Sequence, residues 1–75
     1  MVKVIHHMSR GRRLLIALLN ITTARDVAAR VRSSKQRVAD WSSGHRSPRQ
    51  QARELLEQNY GIPRGAWAQE WREPE

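Results

Sequence analysis

The sequence has no cysteine. That removes both a disulfide framework and thiolate metal ligands. It also lacks a long apolar run. The longest, residues 14–19, falls far short of the roughly 20 residues a membrane span needs. This run follows Arg10, Arg12 and Arg13, as a signal-peptide core follows its basic region. It is shorter than the roughly 7–15 residues of such a core, and no small-residue cleavage site follows it. No membrane partner is expected, and the expected compartment is the cytoplasm. Lysine is scarce: Lys3 and Lys35 stand among 14 Lys+Arg, and the other twelve are Arg. Acids are scarce over residues 1–53, where Asp26 and Asp40 are the only two. At 75 residues the chain is one domain, and such a chain buries only about 60% of its unfolded surface. An enclosed substrate pocket is not expected from so thin a core.

What is present is positive charge. The net charge is +7 and the isoelectric point is near 11.5. Residues 1–53 carry +10, whereas residues 54–75 carry −3, with Glu54, Glu57, Glu70, Glu73 and Glu75 against Arg64 and Arg72. A basic body with an acidic tail suits a polyanionic partner. Arginine is the cation suited to bidentate contact with phosphates and bases.

Residues 1–8 show neither helical period nor cap and read as a flexible N-terminal arm. The domain is expected over 9–71, with an acidic tail at 72–75. Ser9 is a good N-cap for a first helix, in which Leu14, Leu15, Leu18 and Leu19 recur at helical spacing. Arg10, Arg12 and Arg13 crowd its start, the end where the helix dipole prefers anions. A phosphate backbone is one reason for them to be there. Thr23-Ala24-Arg25-Asp26 fits a capping box, with Asp26 in place of the usual Glu. Val27, Ala28 and Val31 form the apolar face of that second helix. Ser34 caps a third helix over about 35–43, with Val38 and Trp41 inward and Gly44 ending it. Ser47-Pro48-Arg49-Gln50 reads as a further start, with Ser47 as N-cap, Pro48 at the first helical position and Gln50 reaching back. Ala52, Leu55 and Leu56 continue its buried face. A last short helix follows Pro63 and carries Trp67 and Trp71 four residues apart.

Two short helices joined by a brief break are a helix-turn-helix candidate. A small residue is needed where they meet, and Ala28 is placed for it. If Val38 and Trp41 point inward, Lys35, Gln36, Arg37 and Asp40 face outward or flank the inner face.

The string Thr23-Ala24-Arg25-Asp26-Val27-Ala28-Ala29-Arg30-Val31 is followed, after Arg32-Ser33, by Ser34-Lys35-Gln36-Arg37-Val38-Ala39-Asp40-Trp41-Ser42-Ser43-Gly44. It resembles the lambda-repressor-like, Cro-type (XRE) family of DNA-binding domains. That family's pattern runs roughly T-Q-x-E-L-A-x-x-L-G-V-S-x-x-x-V-S-x-W-x-x-G, then a basic loop and a proline. His45-Arg46-Ser47-Pro48 resembles that loop, and Gly61-Ile62-Pro63 with Trp67 resembles the ending of many small phage and prophage members. The resemblance covers about residues 9–71. Three positions depart from it. Arg32 stands at the family's turn glycine, Ser33 at the apolar residue after it, and Ala24 at the glutamine of the second helix. Arginine enters positive φ less cheaply than glycine, so the turn is expected to be strained or reshaped.

The resemblance implies a compact, all-α, five-helix bundle that reads the major groove of duplex DNA with the helix at about 35–43. Lys35 or Arg37 can donate to guanine, Gln36 can pair with adenine, and Asp40 can accept from cytosine or orient a neighbouring arginine. Arg25, Ser34, His45, Arg46 and Arg49 are the candidates for phosphates, which fix register without reading sequence. The expected function is a repressor-like transcriptional regulator, as a possible homodimer on a two-half-site operator, in the bacterial nucleoid or a phage-infected cell. The alternatives are an accessory factor of phage packaging or recombination, or an adaptor that binds a protein through the C-terminal Trp-containing helix. No cofactor is expected. His6, His7 and His45 do not make a metal-ligand set, and no nucleophile, base and orienter come together as they must in an enzyme.

Overall fold

A computed structural model describes residues 8–70 of the chain. Four α-helices follow one another: α1 Arg10–Leu18, α2 Ala24–Arg30, α3 Lys35–Ser43 and α4 Gln50–Tyr60. A 3-10 helix over Arg64–Ala68 closes the fold. Among the described residues there is no strand, only an isolated antiparallel bridge between Ser9 and Glu70. No described helix is long and apolar enough to cross a membrane.

Three of the helix starts are built as the sequence predicts. The hydroxyls of Ser9, Thr23 and Ser34 accept hydrogen bonds from the backbone N–H groups of Arg12, Asp26 and Arg37, each at 3.1 Å. Each satisfies one of the orphan donors of a first turn, worth about 1 kcal/mol. The capping box at Thr23 is half made. Asp26 accepts from the hydroxyl of Thr22 at 3.5 Å. Gly44 at φ +87° and Gly61 at φ +74° end α3 and α4 in the left-handed region.

The fourth start departs from the sequence pattern. Ser47 makes no cap, and Arg49 occupies the N-cap with extended backbone and no side-chain cap bond. Pro48 is instead fully buried, and its carbonyl accepts from Nε of Arg53 at 2.8 Å. A serine cap contributes about 1 kcal/mol. Burying an apolar side chain of this size contributes about 2 kcal/mol. The helix begins two residues later, after a buried proline. The segment after Pro63 is likewise not an α-helix. Its bonds run from Ala66 N–H to Pro63 and from Gln69 N–H to Ala66, three residues apart. That pattern is the tighter 3-10 turn, which is used in short pieces. Trp71, expected on this element, lies outside the described residues, as do residues 1–7 of the arm and 72–75 of the tail.

One core joins all the elements. Leu15, Val27, Ala28, Val31, Val38, Trp41, Leu56, Ile62 and Trp67 are buried together. Leu14, Leu18, Leu19, Ala52, Leu55 and Tyr60 pack against them, partly exposed. α2 packs on α3, α1 on α3, and the 3-10 helix on both α1 and α4. The closure between α1 and the 3-10 helix depends on Gly11. A Cβ at that position would stand 2.4 Å from a ring carbon of Trp67, so the indole lies directly on the helix backbone. Beside it, the backbone N–H of Arg10 donates to the carbonyl of Gln69 at 2.7 Å.

Candidate nucleic-acid interface

The α2–α3 turn sets how α3 sits. Val31 ends α2, Arg32 adopts φ +54°, and the N–H of Ser33 donates back to the carbonyl of Ala28 at 2.8 Å. This is a Schellman ending, with the left-handed position held by arginine where glycine is usual. The strain expected at this turn is present as a positive φ. The residue after the left-handed position commonly makes an apolar contact. Here it is Ser33, whose hydroxyl is buried without a hydrogen-bond partner.

α3 turns about 100° per residue, and Val38 and Trp41 are both buried. Gln36 then lies opposite the core, with Lys35 and Arg37 on its two flanks. All three are exposed. Asp40 follows Gln36 by one turn and is partly buried. Nε2 of Gln36 donates to Oδ1 of Asp40 at 3.1 Å. On its other side, Oδ2 of Asp40 stands 3.9 Å from Nε of Arg46. The carboxylate thus links an outward α3 residue to the loop that follows.

That loop carries His45, Arg46 and Arg49, all exposed. Nδ1 of His45 is 2.7 Å from the hydroxyl of Ser43. Arg37, Arg46 and Arg49 come together at the rim of a single cleft. Ser34 is exposed at the start of α3. Its cap bond uses a lone pair, and its O–H remains able to donate. Arg25 is exposed on the first turn of α2 and shares no bond with the others.

The sequence did not show the placement of three residues. Ala39 lies three positions after Gln36 on the same outer side of α3, where a methyl group can meet a thymine methyl. The helical arithmetic that selected Gln36 also selects Ala39. Arg32 joins the rim of the cleft, a placement that only the turn geometry reveals. Arg12 proves to be structural: its Nε donates to the carbonyl of Ser42 at 2.7 Å. Its guanidinium lies over Gly44, where a Cβ would meet it at 3.0 Å. A cation at the carboxyl end of α3 complements that helix's dipole. The crowding of arginines at the start of α1 thus has one explanation inside the fold. Trp67, which a protein-binding adaptor would need on its surface, is buried.

No family model, curated protein or solved structure matches the chain.

Proposed function

We propose that the chain is a sequence-specific, duplex-DNA-binding protein of the lambda-repressor-like helix-turn-helix type. In this reading α2 and α3 form the helix-turn-helix and α3 enters the major groove. The observation that carries the reading is the division of α3 into two faces. Val38 and Trp41 are buried, while Gln36 with its flanks Lys35 and Arg37 is exposed. A face of donors and acceptors on a rigid helix can read base edges, with Gln36 matched to adenine and Lys35 or Arg37 to guanine. Asp40 orients Gln36 and Arg46 in the free protein. Arg25, Ser34, His45, Arg46 and Arg49 hold phosphates and set the register. The +10 charge of residues 1–53 supports the same partner through counterion release.

The protein would act by occupancy, as a small cytoplasmic regulator of transcription that needs no cofactor, and as a homodimer where the operator has two half-sites. Selection of bound sequences from random duplex DNA tests this. An enriched motif is the expected result, and a symmetric motif indicates a dimer on paired half-sites. No enrichment at all would refute specific recognition. Footprinting on the selected site then separates a promoter regulator from a packaging or recombination factor, which protects its own sites instead.

A further inference from the structure

The cleft beside α3 has features that base reading does not require. It lies between the α2–α3 turn and the segment that leads into α4, with a volume of about 280 Å³. Arg32, Arg37, Arg46 and Arg49 line it, together with Ser33 and Trp41, and no acidic residue does. Arg46 has Asp40 at 3.9 Å. The guanidinium groups of Arg32, Arg37 and Arg49 have no partner among the described residues. Four cations gathered around one concavity repel each other, and an anion seated among them removes that repulsion. Two further observations concern the turn. Arg32 holds a left-handed backbone at φ +54°, a conformation that is costly for any residue with a Cβ. The hydroxyl of Ser33 is buried without a partner. Ser33 is itself one of the residues that line the cleft. Strained backbone clusters at ligand sites, and a buried polar atom without a partner calls for an explanation such as a water or an ion.

We infer that this cleft binds a free phosphoryl ligand, a phosphate monoester or a diphosphate. Arg32 and Ser33 hold the phosphoryl oxygens and Arg37, Arg46 and Arg49 close around it. A terminal phosphate can enter a concavity of this size end-on. A duplex phosphodiester carries chain on both sides and reaches the rim arginines first. Arg37, Arg46 and Arg49 are also proposed duplex contacts, so an occupied cleft neutralises part of the DNA-binding charge. This last step rests on the proposed function, whereas the site itself does not.

The test is an NMR titration of the full chain with inorganic pyrophosphate at constant ionic strength. Saturable shifts confined to the amides of Arg32, Ser33, Arg46, Ser47 and residues 49–51 are expected. Arg32→Gln and Ser33→Ala should each weaken binding about tenfold, as expected for one hydrogen bond to a charged group. Arg64→Gln, which is not in the cleft lining, should change nothing. Ser33→Ala also removes a buried unpaired hydroxyl, so its thermal stability should hold or rise and its loss of binding is not unfolding. Shifts spread over all the arginines without saturation, or unchanged affinity in either cleft variant, overturn the site. Unrelated duplex DNA is then added to the saturated protein. Persistence of the Arg32 and Ser33 shifts supports a free ligand. If duplex alone reproduces those shifts, the cleft holds a backbone phosphate and the free-ligand assignment is wrong. If duplex does not bind, the DNA reading fails, and the pyrophosphate result stands by itself.

Discussion

Replacing Arg32 by glycine should stabilise the protein, although the substitution removes a side chain and adds none. Arg32 sits at φ +54°, where a residue with a Cβ is disfavoured by about 1–2 kcal/mol. Glycine does not pay that penalty, but its freer unfolded chain costs about 0.4–1 kcal/mol. The difference is a net gain of about 0.5–1 kcal/mol. The bond from Ser33 N–H to the carbonyl of Ala28 is made by backbone and survives. For a domain of this length, 1 kcal/mol moves the melting temperature by about 4–8 °C, so Arg32→Gly should melt about 3–6 °C higher. Removing one of four neighbouring cations also relieves repulsion, and Arg32→Ala controls for this. Alanine loses the charge and keeps the backbone penalty, so it should stay within about 0.5 kcal/mol of the parent. Thermal unfolding followed by far-ultraviolet circular dichroism reads both variants. An alanine variant as stable as the glycine one would show that charge and not backbone strain limits the turn. A glycine variant that melts lower would show that the turn is not left-handed in solution.

Gly11→Ala should do the reverse of what helix propensity suggests. Alanine is favoured in a helix by about 1 kcal/mol, but the new Cβ would fall 2.4 Å from the Trp67 ring, and overpacking costs about 1–3 kcal/mol. A net loss of about 1 kcal/mol is expected in urea titrations. A stabilised variant would mean that Trp67 does not lie on α1. Duplex binding should weaken steeply with salt. Neutralising about five to eight phosphates makes log K fall with log salt at a slope of roughly −4 to −7, and a flat dependence would remove the charge argument. Gln36→Ala should lose about 1–3 kcal/mol on the selected site and relax preference at one base pair. Arg49→Ala should weaken all duplexes alike and flatten the salt slope by about one. Equal losses for Gln36→Ala on cognate and scrambled duplexes would place that side chain on the backbone.

Where a residue's role is decided within its own turn of chain, the sequence is readable. Ser9, Thr23 and Ser34 cap because a short hydroxyl followed by helix formers has one good local arrangement. Val38 and Trp41 turn inward together because they lie three apart on a helix that is otherwise polar but for Ala39. The limits of α3, Lys35–Ser43, follow from Ser34 and Gly44. Residues whose role is set by a distant partner are not readable in this way. Pro48 carries a strong local signal for a helix start, yet the helix starts two residues later and the proline is buried. Gly11 carries no local signal at all, because its reason is an indole contributed by the other end of the domain. Arg12 reads as surface charge until the carbonyl of Ser42 comes within reach. The candidate interface divides in the same way. Its outward residues on α3 follow from periodicity, whereas the cleft needs the turn and the loop to be brought side by side.

The closure of α1 by the 3-10 helix bears on the order in which the chain can assemble. Arg10 and Gln69, 59 positions apart, meet at the same corner as Gly11 and Trp67. Bringing such distant positions together carries a loop-closure entropy that neighbouring helices avoid. α2 and α3 face no such delay, since only the turn at 31–34 separates them. Local contacts are expected to form the nucleus and the end-to-end seam to close last. Rates should reveal this division. A substitution in the seam, such as Gly11→Ala, should mainly steepen escape from the folded state, whereas one between α2 and α3, such as Val38→Ala, should mainly slow the approach to it. On that outcome, the corner that holds the two ends together governs how long the molecule stays folded more than how fast it gets there.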